Sequence, residues 1–234
     1  MPIDRKLRLL LLSTSTVFGA GYLDYAEPEI RDFFGPIKHL LFVPFALANR
    51  DGYAAKARER FAQMGIEVTS LHEVNVAQAI ADAQAIFIGG GNTFRLLKSL
   101  YDTGALNLIR ERAHAGMPYM GASAGSNVAC PTIRTTNDMP IVEPPSLDAL
   151  SLFPWQLNPH YLDPDPGSKH MGETREERLV QYLEENDRPV IGLREGGIIR
   201  VEKGTALLKG TAGARIFRRG KDPEERRPVC ELEL

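Results

Sequence analysis

The sequence predicts an α/β fold, with a mostly parallel central sheet, helices on both of its faces and an antiparallel edge formed by the C-terminal residues. Three observations predict it. Short unbroken apolar runs recur along the chain, segments of helical character separate them, and beyond Leu193 short strands joined by glycine-containing turns follow one another. Unbroken apolar runs are typical of parallel strands covered on both faces, and alternating strands and helices indicate right-handed crossovers.

The individual elements are identified by their residue patterns. Six apolar runs are interpreted as strands, at 7–12, 39–44, 66–71, 85–88, 118–121 and 190–193. Five segments are interpreted as helices, at 53–64, 76–83, 93–101, 106–115 and 174–185. Three later runs, at 198–201, 206–208 and 214–217, are expected to form an antiparallel meander at the sheet edge. Together these elements predict a single domain over residues 1–234.

Composition and charge exclude several classes of protein. The formal net charge is −2 and no long block carries one sign, so we expect no electrostatic binding of nucleic acid or of an anionic membrane. No apolar run reaches the roughly 20 residues of a membrane span. Cys130 and Cys230 lie far apart and outside any metal-binding spacing, which predicts neither a disulfide framework nor a zinc site. We therefore expect a cytoplasmic protein that needs no metal and no cofactor.

The least regular part of the chain is the segment 135–172. It contains 7 of the 16 prolines and the only tryptophan, Trp155. A long proline-rich segment within a compact domain is usually a functional loop or a linker, and the residues beyond it are too few for a second domain of ordinary size. We expect it to be a loop that forms a wall of an active site.

The turn 121–125, Gly-Ala-Ser-Ala-Gly, carries the first candidate for chemistry. The strand 118–121 runs directly into it, and residues 126–129 can continue as a helix. A strand, a sharp turn and a helix form the nucleophile elbow of serine hydrolases, so Ser123 is the predicted nucleophile. Both glycines of the turn remove side chains where strand and helix approach each other. The alternative is a tight turn of small residues without a catalytic role, and the flanking strand and helix favour catalysis.

A run of three glycines, 89–91, follows the strand 85–88 and precedes a helix. Its amide groups can face a ligand closely, and Asn92 can cap the helix or contact the substrate. One interpretation is an oxyanion hole, formed by the amide of Gly91 together with that of Ala124, the residue after the nucleophile. The other is a phosphate-binding loop, although the lysine and hydroxyl residues of a P-loop are absent.

A serine nucleophile needs a base, and His160 is the candidate. It closes the sequence Asn-Pro-His at 158–160, where the proline restricts the backbone and the loop can point the imidazole into a cleft. Two carboxylates could orient it, Asp138 and Glu195. Glu195 has the better position because it directly follows the strand 190–193, and sites in open parallel sheets lie beyond the carboxyl ends of strands.

The segment 172–177 has the pattern of a capping box, with Thr174 as the N-cap residue and Glu177 three positions later. Arg175 then lies in the first turn of a helix, where the helix dipole favours anions rather than cations. Such an arginine is a candidate anion receptor. The alternative is a surface arginine paired with Glu176 or Glu177.

These motifs together resemble the peptidase E family of α-aspartyl dipeptidases. The matching segments are 89–94, 121–127, 130–140, 158–160 and 172–175. The resemblance covers most of the chain and implies a fold related to class I glutamine amidotransferases, no metal, and cleavage of small dipeptides with an N-terminal aspartate. It implies that Ser123 is the nucleophile and His160 the base, that Asp138 or Glu195 is the third member, and that Arg175 binds the aspartyl side chain.

Two alternatives to this function remain open in the sequence. A cyanophycinase-like hydrolase would share the elbow and also recognise aspartyl groups, but no basic-peptide groove is evident. A non-catalytic protein of the same fold would use the glycines 89–91 to bind a phosphate or a nucleotide. Restriction to dipeptides would follow if the segment 135–172 closes the pocket beyond the second residue of the substrate.

Overall fold

A computed structural model describes residues 3–169 and 171–233. The strands are β1 Leu9–Leu12, β2 His39–Val43, β3 Glu67–Ser70, β4 Ile86–Ile88, β5 Tyr119–Ala122, β6 Gln156–Pro159, β7 Val190–Leu193, β8 Gly197–Glu202, β9 Thr205–Gly210, β10 Ala214–Phe217, β11 Glu224–Arg226 and β12 Cys230–Leu232. The helices are α1 Glu27–Phe34, α2 Arg50–Gln63, α3 Val76–Asp82, α4 Thr93–Asp102, α5 Ala105–His114, α6 Ala124–Asn127 and α7 Arg175–Glu185.

The central sheet has eight strands in the order β12-β9-β8-β1-β5-β4-β2-β3. The five strands from β1 to β3 in this order are parallel to one another. The remaining three, β8, β9 and β12, pair in antiparallel fashion at the other edge. The predicted α/β class, with a parallel sheet and an antiparallel C-terminal edge, is confirmed.

The central strands are covered on both faces, as their unbroken apolar sequences predict. In β1 all four leucines are fully buried. Leu9 and Leu11 pack into one core with α3, α4 and α5, whereas Leu10 and Leu12 pack into a second core with α1 and α2. Successive strand residues point to opposite faces, so helices are needed on both sides of the sheet.

The predicted strands 190–193 and 214–217 do not join the central sheet, which corrects the sequence interpretation. As β7 and β10 they belong to a second sheet with the order β11-β10-β7-β6. Its strand β6 lies within the segment 135–172, which we expected to be an irregular loop, and pairs in parallel with β7. β6 is fully buried, yet its sequence Gln-Leu-Asn-Pro contains no apolar run that would have indicated a strand.

The second sheet is covered by α7 and lies beside the central one. Leu179 and Leu183 of α7 pack against Val190 and Phe217 in a separate apolar cluster. The carboxyl ends of β1 and β5 in the central sheet meet those of β6 and β7 in the second sheet, where residues 13 and 123 form hydrogen bonds with residues 160 and 193. None of the helices formed by the described residues is both long and apolar enough to cross a membrane.

Candidate active site

Ser123 lies in the sharp turn between β5 and α6, as the elbow pattern predicts. Its backbone has φ 52° and ψ −109°, a conformation that L residues rarely adopt. Such a conformation costs of order 1–3 kcal/mol and persists only where the surroundings impose it. The amide of Ser123 donates to the carbonyl oxygen of Leu12 at 3.0 Å, and Ser126 donates to the same oxygen at 2.7 Å. The end of β1 thus fixes the turn.

The two glycines of the elbow are required by close backbone approaches. A Cβ atom at Gly121 would lie 2.5 Å from the carbonyl oxygen of Gly125, and one at Gly125 would overlap the carbonyl oxygen of Ile88. The predicted reason for these glycines, the close approach of strand and helix, is confirmed.

We expect Gly125→Ala to lower the free energy of unfolding by about 3 kcal/mol, because the added methyl group meets rigid backbone rather than a flexible side chain. Urea unfolding followed by fluorescence measures the change. The control is Gly167→Ala, in an exposed loop where the nearest atom to a new Cβ is 3.4 Å away. The control should stay within about 0.5 kcal/mol of the parent chain. Equal midpoints for the two variants would contradict the role given to Gly125.

His160 connects the nucleophile to a carboxylate. It directly follows β6 and has a positive φ of 54°. Its Nε2 atom lies 2.9 Å from Ser123 Oγ, and its Nδ1 atom lies 2.6 Å from Glu195 Oε1. Glu195 follows β7, the strand paired with β6, so the parallel pairing of these strands brings the two side chains together. The arrangement allows His160 to take the serine proton while Glu195 holds the imidazole.

Asp138, the other carboxylate considered from the sequence, does not bond His160. Its Oδ2 atom accepts hydrogen bonds from the amide of Thr93 at 2.7 Å and from the Thr93 hydroxyl at 2.6 Å. Asp138 therefore anchors the segment after β5 and α6 to the start of α4. Asp138 also lines a cavity of about 210 Å³ that Arg175 lines as well.

Ser13 is a residue of the site that none of the sequence motifs indicates. It follows β1 and is completely buried. Its hydroxyl donates to the carbonyl oxygen of Leu193 at 2.7 Å and accepts from the amide of His160 at 2.9 Å. One buried hydroxyl thus joins the central sheet to the ends of both strands that carry His160 and Glu195. A polar residue directly after a buried strand is the sequence signal that could have indicated it.

The two predicted oxyanion-hole amides are available. Within residues 3–169 and 171–233, the amides of Gly91 and Ala124 donate to no protein acceptor. Gly91 has φ 135°, and a Cβ atom there would lie 2.7 Å from the carbonyl oxygen of Ala46. Asn92 is occupied instead, because its side chain accepts from the amide of Arg95 at 3.0 Å and donates to the carbonyl of Met139 at 2.9 Å. Asn92 is a helix cap here, and because its amide retains a second N–H and a second lone pair, its predicted contact with substrate stays a prediction.

Arg175 begins α7, and the predicted capping box is confirmed. The hydroxyl of Thr174 accepts from the amide of Glu177 at 3.1 Å, and the carboxylate of Glu177 accepts from the amide of Thr174 at 2.6 Å. Glu176 pairs with Arg215. Both acidic neighbours that could have neutralised Arg175 are therefore engaged elsewhere.

The guanidinium of Arg175 faces a cavity of about 210 Å³ that Ser123, His160 and Asp138 also line. Among the described residues it has no hydrogen-bond or ion-pair partner. Partial burial, with a smaller contribution from Arg178, lowers the pKa of Arg175, whereas Asp138 raises it. Arginine remains charged at neutral pH, so the cavity presents an unpaired cation beside the nucleophile.

The fold and this arrangement of side chains define a serine hydrolase of the α/β class. The chain belongs to peptidase family S51, whose family model matches residues 9–209. It is 56% identical to a peptidase E of Streptomyces coelicolor over 94% of this chain and 90% of the relative. It is 48% identical to a probable alpha-aspartyl dipeptidase of Drosophila melanogaster over 96% and 95% of the two chains.

Two solved structures share the fold. A peptidase from an acI-B1 actinobacterium superimposes with a TM-score of 0.71 over 99% of both chains at 17% identity. A putative peptidase E of Listeria monocytogenes gives a TM-score of 0.61 at 22% identity, covering 94% of this chain and 98% of that one. Both similarities support the fold described above.

Proposed function

We propose that this protein is an α-aspartyl dipeptidase, which hydrolyses dipeptides with an N-terminal aspartate through an acyl-enzyme. One observation carries the proposal. The hydrogen-bonded series Ser123, His160 and Glu195 opens onto a cavity whose wall holds the unpaired guanidinium of Arg175. The names of the relatives from Streptomyces and Drosophila support the same activity.

The proposed reaction follows the acyl-transfer chemistry of serine hydrolases. His160 takes the proton of Ser123 as the hydroxyl attacks the peptide carbonyl, and Glu195 stabilises the imidazolium that forms. The amides of Gly91 and Ala124 receive the negative charge on the carbonyl oxygen. His160 then gives its proton to the leaving amine, and a water molecule activated by the same imidazole releases aspartate.

Selectivity for aspartate is proposed to arise from charge and size. A carboxylate in the cavity of about 210 Å³ can form a two-pronged ion pair with Arg175, and such pairs are strong when they are shielded from water. A neutral side chain of the same shape, such as asparagine, would leave the guanidinium without its counter-charge. The same electrostatic argument disfavours large apolar residues at this position.

The test combines a serine-specific reagent with a substrate panel. We expect a fluorophosphonate to modify Ser123, as mapped by peptide mass spectrometry, and Asp-Leu to slow the modification while Asn-Leu does not. Release of leucine from Asp-Leu should be detected under the same conditions. A chain that resists the reagent, leaves Asp-Leu intact and gains thermal stability from a nucleotide would instead be a binding protein of the same fold.

A further inference from the structure

A second cavity, of about 490 Å³, meets the first at the catalytic pair. The two cavities share only Ser123 and His160 among their described lining residues, so the nucleophile lies between them. The second is walled by the connection after β1, the connection after β2, the start of α2 and the glycines 90 and 91. Of the described residues in the proline-rich segment, it contacts only His160. The segment 135–172, which we expected to form a wall of the active site, therefore lines mainly the first cavity, the one that contains Arg175.

One face of α2 and its N-cap forms the floor of this second cavity. Asn49, Gly52, Tyr53 and Lys56 all line it, at the spacing of three, four and seven residues that places side chains on one face of a helix. Helix side chains lean toward the N-terminus, which inclines Lys56 toward the turn that begins the helix, and Lys56 lines the same cavity as Ser123 and His160. A Cβ atom at Gly52 would lie 2.7 Å from Asn49 Nδ2, so the missing side chain makes room for the amide of Asn49, which caps the helix and lines the same cavity as Lys56.

Lys56 supplies the charge of the second cavity. Apart from His160, it is the one basic side chain among the described residues that line it, and no carboxylate lines it. Its Nζ atom lies 4.5 Å from the centre of the ring of Tyr22, which is itself buried. An ammonium group over an aromatic face is held by the ring's electron density, so this contact positions Lys56 without neutralising it.

The charges of the two cavities match those of an aspartyl dipeptide. Such a substrate carries one carboxylate on the side chain of the residue before the scissile bond and a second at its C-terminus. The two residues that carry these carboxylates are adjacent, so their backbones are separated by one residue, or roughly 3.5 Å of extended chain. Arg175 accounts for the first carboxylate and leaves the second without a partner. A cation in the cavity on the other side of Ser123 is what the second carboxylate requires.

We propose that the second cavity binds the leaving amino acid and that Lys56 pairs with its α-carboxylate. The proposal rests on the proposed dipeptidase function and adds the reason for its restriction to dipeptides. A third residue would replace the carboxylate by a neutral amide and would place its own chain against Lys56. The volume of about 490 Å³ admits leaving residues of many sizes, so the side chain of that residue is selected weakly.

The test compares three substrates that share the aspartyl group. They are Asp-Leu, its C-terminal amide, and aspartyl p-nitroanilide, whose leaving group has no carboxylate. The parent enzyme should prefer Asp-Leu over the amide by about 10-fold in kcat/KM, the effect of a charge-assisted hydrogen bond. Lys56→Met should remove this preference while changing kcat/KM for the anilide by less than about 2-fold, since the anilide makes no ion pair there.

Two further variants sharpen the test. Lys56→Arg retains a cation and should retain most of the preference for the free acid. Lys98→Met removes a lysine that pairs with Asp102 on α4, outside both cavities, and should behave like the parent enzyme. Hydrolysis of all three substrates with equal preference in the parent chain and in Lys56→Met would overturn the role of Lys56 and leave the dipeptidase function standing. Failure of the parent chain to hydrolyse any of them would overturn the dipeptidase function itself.

Discussion

Replacing Glu195 with glutamine is expected to reduce kcat for Asp-Leu by about 10³-fold or more, the scale of loss when the carboxylate of a serine triad becomes an amide. Glu195 Oε1 lies 2.6 Å from His160 Nδ1, where a carboxylate keeps the proton on that nitrogen and leaves Nε2 free to accept from Ser123. The amide of glutamine can donate to Nδ1 and so favour the wrong tautomer. The loss should therefore appear in kcat rather than in KM.

Asp138→Asn is the matched comparison for Glu195→Gln. Asparagine keeps an oxygen that can accept both hydrogen bonds from Thr93, so the start of α4 should stay in place. A fluorophosphonate without an aspartyl group measures activation of Ser123 separately from substrate binding. Its reaction with Ser123 should slow by about 10²-fold or more in Glu195→Gln and by less than about 3-fold in Asp138→Asn. The reverse order would make Asp138 the orienting carboxylate.

The sequence could not decide between these two carboxylates because their distances to His160 depend on a strand that the sequence does not reveal. Asp138 lies in a polar segment, whereas Glu195 follows an apolar run, and this position alone favours Glu195 in the sequence. The structure brings Glu195 to His160 through the pairing of β6 with β7. β6 has alternating polar residues, and its side-chain amide nitrogens are bonded by tertiary contacts such as the one from Asn158 Nδ2 to the carbonyl of Thr135.

The position of Glu195 is reinforced by the residue before it. Arg194 donates to the carboxylates of Asp163 and Glu225, with hydrogen bonds of 2.7 Å to each. These contacts hold the pKa of the Asp163 carboxyl below its usual value. Asp163 and Glu225, which lie 62 positions apart in the chain, both bind Arg194. No local sequence pattern could therefore have indicated that two carboxylates hold the residue next to Glu195.

What the sequence did predict was local. The apolar runs located the central strands to within a few residues, and the turn at 121–125 identified the elbow because its glycines are demanded by backbone contacts. Helix α1 is not evident in the sequence, because Pro28 in its first turn and a mixed sequence obscure the helical pattern. The role of Ser13 is not evident in the sequence for a different reason, since it depends on two sheets meeting at its hydroxyl.

Replacing Arg175 with methionine is expected to reduce kcat/KM for Asp-Leu by about 10²- to 10³-fold, equivalent to about 3–4 kcal/mol. The guanidinium is partly buried and has no partner among the described residues, so a bound carboxylate would be its principal counter-charge. Removing it leaves the substrate carboxylate in a cavity that still contains Asp138, and the two like charges repel each other. Asn-Leu, which lacks the charge, should be cleaved slowly by the parent enzyme and at a similar rate by the variant.

Arg178→Gln provides the control for Arg175→Met on the same helix. Arg178 lies one turn further along α7, is exposed and pairs with Glu173 at 3.6 Å. Loss of an exposed pair contributes little, so kcat/KM for Asp-Leu should stay within about 3-fold of the parent value. The ratio of Asp-Leu to Asn-Leu hydrolysis separates recognition from folding, because a misfolded variant loses both activities together. If Arg175→Met keeps the parent ratio, the aspartyl carboxylate is bound elsewhere, and the charge match between the two cavities and the two substrate carboxylates fails with it.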